Sequence, residues 1–386
     1  LDVRIEKLDQ HMRTLATLEP NQAPVISCYL NVSNPALCYL KLVSERAEWL
    51  RTLLPAGGRA LFDEAFIKIE AFLREGIEIP TRGLALFARG GQHPFFLPLQ
   101  FEVPLADWMV ADSAPNLYPL LELKDNYDRY VILLVTGSSA RVIGVSLGSI
   151  NDEIWHSSVE HRRREAREWT REHVQAHRRE ETGQFIHEQI RTLTRVMAAG
   201  RYSHLLLAGD ERAMAAVRKA LPKSLEAKLV DAVPTSPVQP ISEVVSVTLR
   251  RFLEYEELGS RAVAERLVNQ VFARGLAVAG THASMQALKE GQADVLVIAK
   301  DYDPGRGWEC RRCGRMGTQS GLPEACSQCR NRALREFEIR SELVRLAVQL
   351  GCDVEVVEHS KTLMSLGGVG CLLRYLAPEK YAAQGA

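Results

Sequence analysis

The run Ala293-Asp294-Val295-Leu296-Val297-Ile298-Ala299 is followed by Cys310-Arg311-Arg312-Cys313, then Cys326-Ser327-Gln328-Cys329, then Ile339-Arg340-Ser341-Glu342-Leu343-Val344. In that order it reads as a strand, an insert with two cysteine pairs, and a helix. Residues 295–299 are continuously apolar, as a strand covered on both faces must be. Residues 339–350 repeat apolar side chains at three- and four-residue intervals, the period of a helix with one buried face. Working outward, 354–357 reads as the next strand, and 262–273, 276–279 and 284–290 as the preceding helix, strand and helix. Strands alternating with helices define an α/β unit. The expectation is a C-terminal α/β/α sandwich over residues 259–386, interrupted by a knuckle at 308–332.

The insert has the spacing C-x2-C-x12-C-x2-C, on Cys310, Cys313, Cys326 and Cys329. Two residues between thiols let a tight turn present both sulfurs to one ion, and two such turns close a tetrahedral shell around Zn2+. Gly314 after the first pair suits such a turn, whereas Arg330 follows the second. The alternatives are a pair of redox C-x-x-C motifs or plain reduced loop cysteines. Four thiolates leave no open coordination position, so a zinc ion here is structural. Arg306, Arg311, Arg312, Arg315 and Arg330 sit in or beside the knuckle, where they offset the charge of a metal tetrathiolate or form a solvated basic face.

Upstream, residues 127–258 begin with the apolar strand 130–135. Strands at 140–147 and 153–155 follow, then a charged stretch, a helix over 185–197, and the order strand 204–208, helix 211–221, strand 228–233, helix 241–253. This predicts a middle α/β domain, a mixed sheet with flanking helices. Residues 1–126 read as an N-terminal α+β domain, with a strand at 25–30, helices at 40–54 and 62–74, and a β-hairpin pairing 83–87 with 95–101. The segment 105–123 has prolines and mixed periodicity and predicts no element. The fold class expected is therefore α/β in three domains.

The bulk numbers bound the function. Lys plus Arg and Asp plus Glu both total 48, so no overall field attracts nucleic acid and any RNA contact depends on local clusters. No apolar run approaches the ~20 residues of a membrane span. Scattered Cys28, Cys38, Cys352 and Cys371, and the charges in Leu1-Asp2-Val3-Arg4, lead to the expectation of a cytoplasmic protein without membrane contact. The densest cluster, 161–180, holds seven arginines, three histidines, four glutamates and Trp169. Arginine forks suit phosphate and a tryptophan can stack on a base, so Arg162, Arg163, Arg164, Arg167, Trp169 and Arg171 are the candidate RNA contacts. A solvent-exposed helix shows the same Glu/Arg alternation.

No H-E-x-x-H, P-loop or G-x-S-x-G is present, and no catalytic residue or small-molecule substrate is assigned. Gly90-Gly91-Gln92 falls in the predicted hairpin turn, where a Gly-Gly pair is common. Thr182-Gly183-Gln184 reads as a helix start.

Gly275 to Gly280 and Ala287 to Ile298 resemble a signature of the archaeo-eukaryotic release factor superfamily, which includes the release factors, the rescue factor Pelota and bacterial relatives. Gly367-Gly368-Val369-Gly370-Cys371-Leu372-Leu373-Arg374-Tyr375 resembles the family's closing motif, and Leu206-Leu207-Ala208-Gly209 its middle-domain turn. The cysteine insert falls where release factors carry theirs. In those factors a Gly-Gly-Gln loop lies in the middle domain; the matching stretch here, 157–181, has none and carries the arginines instead. The resemblance thus implies a Pelota-like or Balon-like ribosome hibernation factor. Such a factor occupies the ribosomal A site, touches rRNA through the arginine stretch and hydrolyses nothing. The first domain would face the decoding centre, and the third would dock a translational GTPase such as elongation factor Tu. The alternative is a peptidyl-tRNA-hydrolysing release factor using an atypical glutamine, Gln92 or Gln184.

Overall fold

Residues 25–31 alternate side chains between two apolar environments, and the strand they form organises the N-terminal part of the chain. The computed structural model describes residues 5–19, 23–34, 39–127, 129–136, 139–147, 149–157, 171–200, 202–236, 239–318 and 321–375. By packing, the chain clusters into two units: residues 1–126 with 257–386, and residues 127–256. The first unit opens with α1 (Ile5–Ala16), β1 (Val25–Asn31), α2 (Tyr39–Leu53), α3 (Ala56–Glu75), β2 (Gly83–Arg89), β3 (Phe95–Phe101), β4 (Trp108–Asp112) and α4 (Tyr118–Asn126). The strands form an antiparallel sheet in the order β3-β2-β1-β4. Ile26, Cys28 and Leu30 of β1 pack with Val43, Leu50, Phe62 and Ile69 of α2 and α3. Tyr29 points the other way, and its hydroxyl donates to the Asn116 carbonyl at 2.6 Å. The expected hairpin is present, with Arg89 opposite Phe95. Strand β4 and helix α4 occupy the segment where the sequence predicts no element. Pairing with β1 makes β4 a strand, with no alternation of its own to announce it.

In the second unit, β5 (Tyr130–Val135), β6 (Ser139–Ser146), β7 (Ser149–Ser157), β8 (His204–Gly209) and β9 (Leu229–Pro234) lie in the order β7-β6-β5-β8-β9. β5, β8 and β9 run parallel and β6 and β7 antiparallel, which gives a mixed sheet. Helices α5 (Arg171–Ala199), α6 (Glu211–Ala220) and α7 (Lys223–Glu226) belong to this unit. Every residue of β5 is buried, and alternate residues serve different cores. Val131, Leu133 and Val135 pack with residues of α5 and α6 such as Leu193 and Met214. Tyr130, Ile132 and Leu134 pack instead with Val244 and Phe252.

Val244 and Phe252 belong to α8 (Ile241–Phe272), a single helix where the sequence predicts two. Gly259 marks the expected break. It is exposed and nothing lies near where a Cβ would be, so the helix continues at the modest cost of one interior glycine. The first unit resumes with β10 (Ala277–Ala279), α9 (Thr281–Lys289), β11 (Ala293–Ala299), β12 (Arg306–Cys310), β13 (Met316–Gly317), β14 (Leu334–Glu338), α10 (Ile339–Leu350), β15 (Asp353–Val357), α11 (Lys361–Ser365) and β16 (Val369–Leu373). These make a four-stranded sheet, β10-β16-β11-β15, and a three-stranded one, β13-β12-β14. Among the described residues the protein is thus a mixed α/β chain with four sheets.

Within the first unit, an ion network joins the small sheet to the helices. Glu342 of α10 is buried and accepts from Arg335 of β14 at 2.8 Å and from Arg345 at 2.6 and 2.8 Å. Arg335 also donates to Glu309 of β12, which pairs with Lys289 of α9 at 2.6 Å. Arg345 and Gln349 donate to the Ala16 carbonyl, the end of α1, at 3.3 and 2.6 Å. Further ties within the unit are Lys300 to Glu122 at 3.2 Å and the Val356 amide to Asp125 at 3.0 Å. Burial pushes the Glu342 carboxyl up, but Arg345 and Arg335 outweigh it and hold it at about 2. Glu342→Gln should lower stability by about 3–5 kcal/mol, because Arg335 then stays buried with one partner fewer. A urea melt reads this directly. The depressed carboxyl also fixes the pH behaviour. Its contribution is complete above the ordinary carboxylate value of 4.5 and is lost as pH falls toward about 2. The difference between wild type and Glu342→Gln should therefore shrink across that window.

Candidate functional site

Four sulfurs converge at one end of the three-stranded sheet. Cys310 ends β12, Cys313 closes the turn that follows, and Cys326 and Cys329 lie in the loop before β14. The Cys310 and Cys329 sulfurs are 3.4 Å apart, those of Cys313 and Cys326 3.6 Å apart, and all four lie within 4.8 Å of one another. Bonds of ~2.3 Å in a tetrahedral thiolate shell would set sulfurs about 3.8 Å apart, so the set fits a single ion. Cys310 and Cys326 are buried, Cys329 is half-buried and Cys313 is exposed.

The two turns have the same construction. The Gly314 amide donates to the Cys310 carbonyl at 2.9 Å, and the Arg330 amide donates to the Cys326 carbonyl at 2.8 Å. Both Gly314 (φ 69°) and Arg330 (φ 55°) occupy the left-handed region. Glycine does so freely, whereas a residue with a Cβ pays roughly 1–2 kcal/mol. Arg330 is thus the strained twin of Gly314. Electrostatics divides the sulfurs. Burial pushes the Cys310 thiol up, but the backbone amides of Cys313 and Arg312 bring it down to about 6. The Cys329 amide lowers Cys326. Cys313 has a lowering amide contact from Arg315, yet desolvation where the sulfurs crowd together and the other three sulfurs themselves push it up to about 12. Four thiols this close cannot all ionise without a cation to offset their repulsion. Arg311, Arg312, Arg315 and Arg330 are exposed around the knuckle, while Arg306 pairs with Asp112 and Glu336, each at 3.2 Å.

The remaining thiols have no such setting. Cys28, Cys352 and Cys371 are buried, and burial pushes them up to about 12, 11 and 12, which keeps them protonated. Cys38 lies outside the described residues.

The two glutamine tripeptides lie in a strand-joining turn and inside a helix. Gly90-Gly91-Gln92 joins β2 to β3. The Gly91 amide donates to Glu64 of α3 at 2.8 Å, and a Cβ on Gly90 would sit 2.3 Å from the Leu61 carbonyl oxygen. Both glycines are needed for the turn to lie against α3. Gln184 is exposed but lies well inside α5, which begins at Arg171, so Thr182-Gly183-Gln184 is not a helix start. The helix runs back into the charged stretch because alternating Glu and Arg form good helix. Arg162, Arg163, Arg164, Arg167 and Trp169 lie outside the described residues; Arg171 opens α5, and its side chain is not described. No sequence pattern marks Arg335, Glu309 or Lys289. The only trace of the network in the sequence is Glu342 three residues before Arg345 on one helix face.

Fold and cysteine set define a mixed α/β protein with a four-cysteine knuckle braced by buried ion pairs. Residues 115–252 match the model of bacterial archaeo-eukaryotic release factor family 10, which bears out the resemblance to the release factor superfamily. Comparison with curated proteins returned no match. Among solved structures, an archaeal Pelota, described as ribosome-bound with ABCE1, aligns at 15% identity over 97% of this chain and 95% of that one, TM-score 0.41. Saccharomyces cerevisiae Dom34 aligns at 12% identity over 77% and 82%, TM-score 0.39. The archaeal termination factor aRF1 aligns at 15% over 97% and 99%, TM-score 0.28.

Arg330→Gly should relieve the left-handed strain and stabilise the second turn by roughly 0.5–1 kcal/mol. Slower hydrogen exchange at the amides of Cys326 and Arg330 would report it, and unchanged or faster exchange would refute the strain.

Proposed function

We propose that this chain is a ribosome-binding translation factor that occupies the A site of idle or stalled ribosomes, in hibernation or rescue, and leaves peptidyl-tRNA intact. The observation that carries this reading is the match of residues 115–252 to a bacterial release factor family, in a segment whose sequence has no Gly-Gly-Gln. The burial of Gly90 and the anchoring of Gly91 by Glu64 support it further, since that turn has a packing reason to exist. In this reading 127–258 is the middle domain. It carries an arginine stretch whose Arg162, Arg163, Arg164, Arg167, Trp169 and Arg171 contact rRNA by charge and stacking. Residues 1–126 face the decoding centre and 259–386 dock a translational GTPase such as elongation factor Tu. Cys310, Cys313, Cys326 and Cys329 hold one Zn2+, whose closed shell cross-links the knuckle and activates no water.

Two measurements test this. Replacing Arg162, Arg163 and Arg164 together by alanine should weaken co-sedimentation with ribosomes and flatten the dependence of log affinity on log salt by about 2–3. Unchanged pelleting would remove the arginine stretch from the interface. On ribosomes loaded with peptidyl-tRNA the protein should release no peptide; release that vanishes in Gln92→Ala or Gln184→Ala would establish the hydrolase instead. For the knuckle, metal analysis should find one zinc per chain, lost in Cys313→Ser. A sample without zinc that melts identically would overturn the structural role.

A further inference from the structure

β4 is an outer strand. It pairs with β1, and among the described residues no strand borders its other side. An extended strand turns alternate N–H and C=O groups to each side, so this edge offers donors and acceptors at two-residue intervals. The sheet's other outer strand, β3, carries Pro98 in its interior, which removes a donor and blunts that edge. β4, Trp108-Met109-Val110-Ala111-Asp112, has no proline and no lysine.

Beside this edge runs a groove of about 580 Å³, lined by the end of α2, by β4 and by Arg306 and Glu336 of the knuckle sheet. Its apolar wall includes Trp49, Leu50, Leu53 and Trp108. Trp49 and Trp108 are 49% and 47% exposed and Leu53 63%, a large apolar area to leave in water. Leu42, also exposed, lies seven residues before Trp49 on the same face of α2 and extends the apolar stripe beyond the groove. The charges in the groove are mostly satisfied. Arg306 bridges Asp112 and Glu336, while Arg46 lies over the Trp49 ring at 4.2 Å as the cation at the rim.

We infer that the β4 edge accepts an extended peptide from a partner protein as a fifth strand. An apolar or aromatic side chain enters the groove beside Trp49 and Trp108, and an acidic side chain meets Arg46. Only another extended backbone presents N–H and C=O groups at the spacing this edge requires. The near-neutral lining gives a phosphate backbone little counterion release, so the tryptophans do not make this an RNA site.

The test titrates labelled peptides of about eight residues into the full chain, with alternating Val and Thr, a central Phe, Leu or Trp and a flanking Glu, read by anisotropy. At least one should bind in the micromolar range, and N-methylation of its alternate amides should weaken it about tenfold or more. Trp108→Ala and Arg46→Glu, both at exposed positions, should each weaken it by about tenfold, and a Lys flank should restore binding to Arg46→Glu. Hydrogen exchange should slow in β4. Binding absent below about 1 mM, or equal for the N-methylated peptides, would overturn the proposal. So would an oligouridylate that binds in a Trp108-dependent way, which would assign the groove to RNA.

Discussion

Glu342 is a carboxylate almost out of water, and two guanidinium groups keep it charged there. Through Arg335 it holds β14, through Glu309 it reaches β12 and α9, and through Arg345 it reaches the end of α1. A buried ion pair adds little net stability over an apolar pair of the same shape, because desolvation cancels most of its Coulomb gain. What it fixes is arrangement. A carboxylate with two planar partners accepts few geometries, whereas apolar side chains accept many. The small knuckle sheet has little core of its own, and this network determines where it lies on α10.

The knuckle then adds a second constraint one residue further along the same strands, since Cys310 and Leu334 lie directly next to the Glu309–Arg335 pair. Cys310 ends β12 four residues after Arg306, which Asp112 engages, and Leu334 at the start of β14 lies opposite Cys310. The sheet is therefore gripped at three places: by the sulfurs, by the Glu342 network and by Asp112 of β4. A four-thiolate centre with an ion bound resists shear in the loops, and the charged pairs resist sliding of the strands over the helix. Such bracing suits a surface that must keep its shape while a partner presses on it.

Legibility in the sequence followed burial. Residues 130–135 and 295–299 are covered on both faces, so they are apolar throughout and read at once as strands. The hairpin at 83–101 was visible because its turn needs two glycines. β4 was not, because an outer strand of five residues shows neither a long run nor a clean alternation. The α8 boundary misled for the opposite reason: Gly259 looks like a break, but an exposed position with free space around it lets a helix pass. The cysteine set was the most legible part of the site, since spacing alone brings four sulfurs together. Only half of the turn chemistry was readable, because Gly314 announces a left-handed position and Arg330 conceals one. Arg335, Glu309 and Glu342 looked like ordinary surface charge. Their pairing spans 7 to 26 residues and exists only once β12, β14 and α10 are in place.

The two-sided burial of β5 has a consequence for how this protein can change. Its odd-numbered residues belong to one core and its even-numbered residues to the other. A point substitution therefore disturbs one helical layer and leaves the other untouched, so the two layers can drift apart over time. Inserting or deleting a single residue would exchange the contents of both cores at once. The length of this strand is thus a stricter requirement of the fold than any one of its side chains.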